Sequence, residues 1–310
     1  MTTALKSNWK PAKNTKSHPS ATEIVPLPWH DDVATLLKIG KPPLLLLVGD
    51  PGVGKTTYAR YACVQFTSSE PLLLSGSPEL EQSHIWGRWT LSGQETRFVD
   101  GPLPMALKTG RWLVIEEFSQ IPLECRAALL PLRDQSEITN PLTGEILPIP
   151  ESFRMIATSN SESLSCRKNA GIAKVLYDGF YVLETCDLSD SQVTSLLRHN
   201  FPTASAGRVA RVLYQWNEYR EFTSKGSSGK SHLSYRAAEH LLRLLEHGMP
   251  EPRAVEIALI NKFLPSDSDL YSAAKFKVSV STPESDTDSE CDERPLVPMP
   301  FRKGEGHETA

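Results

Sequence analysis

A chain of 310 residues has material for one large domain or two modest ones, with a substantial buried core. Its 33 Lys and Arg against 37 Asp and Glu leave a formal charge of −4, which excludes a strongly basic, nucleic-acid-coating protein but leaves room for a local basic site. The longest purely aliphatic run, Leu44 to Val48, is far too short to span a bilayer, so no membrane segment is expected. Residues 1–22 are rich in Lys, Ser, Thr and Pro without apolar periodicity and read as a flexible basic arm. They hold neither the apolar core of a signal peptide nor the arginine-rich helix of a transit peptide. The five cysteines, Cys63, Cys125, Cys166, Cys186 and Cys291, form no CxxC pair. Neither a disulfide framework nor a zinc site is therefore expected, and a reducing cytoplasm is the expected setting.

Further along, short apolar runs alternate with helical patterns, the signature of a parallel sheet flanked by helices. The runs are Pro43–Gly49, Pro71–Gly76, Arg111–Glu117, Phe153–Asn160 and Phe180–Asp187. Each is apolar almost throughout, which predicts strands covered on both faces. Helices are predicted to start near Lys55, Leu103 and Leu123. From Ser189 onward only helical patterns follow: Ser189–Phe201, Ala206–Phe222, Ser234–Gly248 and Glu251–Leu264. The expected fold is α/β, a three-layer αβα core with a parallel sheet over residues 23–188 followed by a small all-helical lid over 189–264. The tail from 265 to 310 includes the acidic, serine-rich stretch Ser281–Arg294 and reads as solvated, either a solubilising end or a docking or phosphorylation segment.

The sharpest local signal is GDPGVGKT, comprising Gly49, Asp50, Pro51, Gly52, Val53, Gly54, Lys55 and Thr56 and followed by Thr57. It fits GxxxxGK[ST] between a predicted strand and a predicted helix, the context the motif requires. Small residues let successive backbone N–H groups curve around a triphosphate. Lys55 then reaches the β and γ phosphates, and the Thr56 hydroxyl can ligate Mg²⁺. A second element is the strand Trp112–Glu117, ending in two adjacent carboxylates on the side of the crevice that holds the phosphate loop. Glu116 would hold Mg²⁺ through water, and Glu117 would orient and deprotonate the attacking water. Asn160 closes the next strand, where an amide can grip the nucleophilic water or the γ phosphate; alone, such an Asn is an ordinary turn former. Arg236 starts a helix of the lid, within reach of a phosphate, or is simply a solvated helix charge.

Taken together, the stretch from about Leu44 to Leu264 resembles an AAA+ ATPase of the MoxR type, the dynein-related group that includes the CbbQ, NorQ and GvpN activators and the midasin modules. The strings that carry the likeness are GDPGVGKTTYAR, FVDGPLPMALKTGRWLVIEEFSQIPLECRAALLPLRDQSEI, FRMIATSN and LSYRAAEHLL. The resemblance implies a GPL-containing insert before the acidic strand and a β-hairpin insert before the Asn-bearing one. The hairpin falls on ITNPLTGEILPIPESFR, with Asn140 to Gly144 as turn. It further implies ATP and Mg²⁺ as ligands, Lys55, Thr56, Glu116 and Glu117 as their contacts, Asn160 as the sensor-one residue and Arg236 as the sensor-two arginine. A homo-hexameric ring acting on a client protein, in some relatives one with a von Willebrand A domain, is implied as well.

Two positions depart from the family pattern. Glu116 stands where Asp is usual, one methylene longer. Gly179 precedes Phe180 where an arginine finger normally sits. Arg167 and Lys168 are substitutes for that finger or a solvated loop, and Arg154 is a phosphate or intersubunit contact or a structural residue. Two alternatives to a remodelling ATPase stay open. One is a nucleotide-gated scaffold with little turnover. The other is a nucleic-acid-directed motor using the arm lysines Lys6, Lys10, Lys13 and Lys16.

Overall fold

A computed structural model describes residues 25, 27–39, 44–93, 95–160, 178–225, 233–262 and 272. The arm 1–22, Arg167 and Lys168, and the tail from 265 onward apart from Ser272 lie outside the described residues. In chain order the elements begin with α1 (His30–Lys38), β1 (Leu44–Gly49), α2 (Lys55–Thr67), β2 (Leu72–Ser75) and α3 (Gln82–Trp86). Next come the hairpin β3 (Gly87–Ser92) and β4 (Glu95–Asp100), α4 (Pro102–Thr109), β5 (Leu113–Glu116) and α5 (Leu123–Ala127). A second hairpin, β6 (Glu137–Thr139) and β7 (Ile146–Pro148), precedes β8 (Met155–Asn160) and β9 (Phe180–Glu184). The helices α6 (Asp190–Asn200), α7 (Ala206–Lys225), α8 (Tyr235–Glu246) and α9 (Glu251–Ala258) complete the order.

The five apolar runs form one parallel sheet in the order β2-β5-β8-β1-β9, as expected of an α/β core. Alternation along a strand sends successive side chains to opposite faces, and both faces here are apolar. Leu45 and Leu47 of β1, Val114 of β5 and Ile156 of β8 join one cluster with α1, α2 and the C-terminal helices. Leu44, Leu46, Val48, Leu113, Ile115, Met155 and Ala157 join a second with α3, α4 and α5. The first cluster runs without interruption from Leu45 on the sheet to Val255 on α9.

Burial on both faces holds for the three central strands but not for the edges. Leu73 of β2 and Tyr181 and Val182 of β9 are exposed, because an edge strand has a neighbour on one side only. The last helix is also shorter than its pattern suggests: α9 stops at Ala258 and a 3₁₀ turn, Ile260–Lys262, follows. Helix α1, helix α3 and the β3–β4 hairpin go beyond the sequence reading. Helix α1 buries Val33 and Leu37, four residues apart, under an acidic first turn. The β3–β4 hairpin projects from α3 and α4 with Trp89, Leu91 and Val99 exposed. Lys108 on α4 donates to Asp100 Oδ2 and Glu145 Oε2, each at 2.8 Å, so it bridges this hairpin to the β6–β7 hairpin. The β6–β7 turn is built around buried Asn140, whose Oδ1 accepts from the Leu142 N–H at 2.9 Å.

Arg154 lies at the amino end of β8, the end of the sheet opposite Asn160, which removes it as a phosphate contact. Its buried guanidinium donates to the carbonyls of Leu37 (3.3 Å), Glu151 (2.6 Å) and Phe153 (2.8 Å), tying α1 to the sheet floor. Alanine there would orphan those buried acceptors. Arg154→Ala is expected to lower the unfolding free energy by about 2–4 kcal/mol in urea titrations while leaving nucleotide affinity unchanged.

Candidate nucleotide site

The loop between β1 and α2 occupies the carboxyl edge of the sheet, where a parallel α/β fold opens its crevice. Glycine is required at Gly52 (φ +88°) and Gly54 (φ +95°), both left-handed. Gly49 is needed for a different reason. The Thr185 N–H and hydroxyl both donate to Val48 O, at 2.6 and 3.0 Å, and a methyl on Gly49 would run into the Thr185 side chain. Helix α2 then starts at Lys55 with Gly54 as its cap residue and no side-chain cap. Its first N–H groups are left for an anion at the positive end of the helix.

Lys55 is buried and its ammonium donates to Gly49 O (2.7 Å), Asp50 O (2.8 Å) and Asn160 Oδ1 (3.3 Å). Burial pushes this ammonium below the ordinary lysine value; Glu117 and Asp50 oppose the shift and Arg236 adds to it. Asn160 sits opposite Gly49 in the β1–β8 register. Its amide nitrogen donates to the Glu117 carboxylate, at 3.1 Å to Oε2 and 3.4 Å to Oε1. A continuous chain Lys55–Asn160–Glu117 therefore crosses three elements. Glu117 follows β5 in a left-handed conformation (φ 50°, ψ 47°), which turns the chain sharply so that Phe118 enters the core and the carboxylate stays at the crevice. Glu116 ends β5, and Thr56 is the second residue of α2. Among the described residues no group of three or more His, Cys, Asp or Glu stands ready for a metal. Thr56 and Glu116 are the residues that would hold a Mg²⁺, an ion that usually keeps several of its waters.

The amino end of α8 closes over the loop. A Cβ placed on Gly52 would lie 2.6 Å from Ser234 Cβ and 3.7 Å from Arg236 Cγ, so Arg236 stands beside the phosphate loop. Between loop, α6 and α8 lies a cavity of about 190 Å³, with Leu27, Thr57, Leu196, Asn200, Tyr235 and Arg236 among its walls. Asn200 Nδ2 donates to Tyr235 Oη at 3.0 Å across it. In its wall, Tyr58 Oη pairs with His30 Nδ1 at 2.7 Å, anchoring the start of α1 to α2. Apart from the phosphate loop, Thr57 and Arg236, none of these wall residues stood out in the sequence; for Tyr58 alone a signal existed, one helical turn after Lys55.

The sheet order, the glycine loop and the buried lysine at its rim define a P-loop nucleotide-binding domain with a helical region seated over the phosphate loop. Residues 44–180 match the family model described as AAA domain (dynein-related subfamily), a likeness that supports an AAA+ ATPase. The chain is also 25% identical over 239 residues to an uncharacterized protein of Staphylococcus saprophyticus, covering 75% of this chain and 88% of that protein. The same figures hold for an uncharacterized protein of Staphylococcus epidermidis. One of Staphylococcus aureus strain USA300 is 25% identical over 224 residues, covering 70% and 83%. Among the described residues no helix is long and apolar enough to cross a membrane.

Proposed function

We propose that the protein is a Mg²⁺-dependent ATPase of the MoxR type that remodels or activates a partner protein. The observation that carries this reading is the Lys55–Asn160–Glu117 chain at the mouth of the phosphate loop. Lys55 exchanges its loop carbonyls for β and γ phosphate oxygens. Asn160 and Glu117 flank the position of an attacking water, and Glu117 takes its proton. Thr56 and Glu116 would hold Mg²⁺, whose charge offsets that of the phosphates. Arg236 adds a cation from α8, so a bound triphosphate joins the sheet to the C-terminal helices. The apolar tips Trp89, Leu91 and Ile146 on the two bridged hairpins support a protein client, and the family likeness supports a homo-hexameric ring and clients with a von Willebrand A domain.

A second reading, a nucleotide-gated scaffold, is favoured by Gly179. It stands just before β9 in the place where the family pattern puts an arginine finger, a group worth roughly 10³–10⁵ in rate. Phosphate release by the purified chain with ATP, in magnesium and in excess EDTA, separates the readings. Magnesium-dependent turnover is expected; tight ATP binding with no turnover supports the scaffold, and no binding overturns both.

A further inference from the structure

The sheet neighbour of the acidic strand presses on the Glu116–Glu117 backbone. β2 pairs with β5, Ser75 opposite Glu116, and the next amide, Gly76 N–H, donates to Glu116 O at 2.8 Å. Gly76 then passes directly behind the left-handed peptide at Glu117. A methyl group on Gly76 would collide with the Glu117 carbonyl oxygen, and it would lie 2.8 Å from Glu116 O and 2.9 Å from Ile121 Cγ1. Two of these three atoms are backbone, which cannot rotate away as a side chain can. Gly76 itself is not among the glycines with positive φ, so what the position demands is space. The Glu117 carbonyl is occupied as well, accepting from the Gln120 N–H at 2.8 Å. Phe118 and Ile121, on either side of that turn, are both buried. The turn is therefore wedged between its own 3₁₀ bond, the core and Gly76.

We propose that Gly76 is a positioning residue for Glu117, its missing side chain setting where the left-handed turn stands and hence where the carboxylate meets Asn160 and the water. This rests on the ATPase reading above. Displacing a catalytic group by about 1 Å costs roughly 10²-fold in rate, whereas the phosphate loop, on the far side of β8, stays where it is.

The test compares wild type, Lys55→Ala, Gly76→Ala, Ile121→Ala and the Gly76→Ala/Ile121→Ala double variant by melting curve, affinity for a fluorescent ATP analogue, KM and kcat. Gly76→Ala is expected to fold, to bind the analogue within about twofold of wild type with KM unchanged, and to lose about 10²-fold in kcat. Ile121→Ala removes only the side-chain clash, so the double variant is expected to stay slow. Wild-type kcat in Gly76→Ala, recovery of kcat in the double variant, a matching loss of affinity, or an unfolded Gly76→Ala chain beside a folded Ile121→Ala would each overturn the proposal, by showing an ordinary packing contact. A wild type that neither binds nor hydrolyses ATP, like Lys55→Ala, removes the ATPase reading itself, and wild-type binding without turnover removes that reading and this inference together. A working wild type matched by Gly76→Ala removes this inference alone.

Discussion

Lys55→Ala is expected to lower ATP affinity by about two to three orders of magnitude while the unliganded protein keeps its stability within about 1 kcal/mol. The two halves have separate causes. In the complex the ammonium makes charge-assisted hydrogen bonds to phosphate oxygens, worth about 1.5–3 kcal/mol each. Losing two of them at the lower end of that range, about 1.5–2 kcal/mol each, removes about 3–4 kcal/mol, at about 1.4 kcal/mol per factor of ten. Without nucleotide the same ammonium is held out of water, and burial pushes it toward its neutral form, a cost that its bonds to Gly49 O and Asp50 O only offset. Alanine removes cost and gain together. Calorimetry and denaturant titration check both halves. In wild type, ATP at about a hundred times its dissociation constant stabilises the fold by about 2.7 kcal/mol, and in the variant that increment disappears. Unchanged ATP uptake in Lys55→Ala would remove the phosphate loop from the site.

Glu117→Gln carries the second large effect, a loss of about 10²–10⁴ in phosphate release, the range expected when a positioned general base is removed. The amide is nearly isosteric and its carbonyl oxygen can still accept from Asn160 Nδ2, now bonded to the carboxylate at 3.1 Å. The turn and the loop therefore persist, and binding is expected to stay within a few-fold of wild type. Rapid-quench and equilibrium binding measurements separate the two quantities. Equal losses in both would mean that Glu117 holds the nucleotide rather than the water.

The sheet was legible because each of its strands is a short apolar run, and central β1 has to feed two cores at once: Leu45 and Leu47 to one, Leu44 and Leu46 to the other. The phosphate loop was legible because its chemistry is local, with glycines and a lysine at fixed offsets. Lys55 and Asn160 were each visible, but their contact was not, since 105 positions separate them in the chain and only the adjacency of β1 and β8 brings them together. The β3–β4 hairpin was missed because both of its faces are largely exposed. Trp89 and Leu91 are exposed, as is Arg88 between Gly87 and Trp89, so no inside-outside contrast appears. Its one usable mark is the Ser92-Gly93 turn, with Gly93 at φ +67°. The cavity walls were beyond reach for the same reason as the Lys55 contact: Leu27, Leu196 and Tyr235 come from three separate segments.

The unbroken apolar layer from Leu45 to Val255 limits how the molecule can respond to its nucleotide. Swinging the C-terminal helices away like a door would wet the apolar residues through which this layer passes from the sheet to those helices, at about 25 cal/mol for every Å² opened. Sliding within the seam keeps it dry. A nucleotide-driven rearrangement of these helices is therefore expected as displacements of about an ångström or two between interlocked helices, the shear mode of packed proteins.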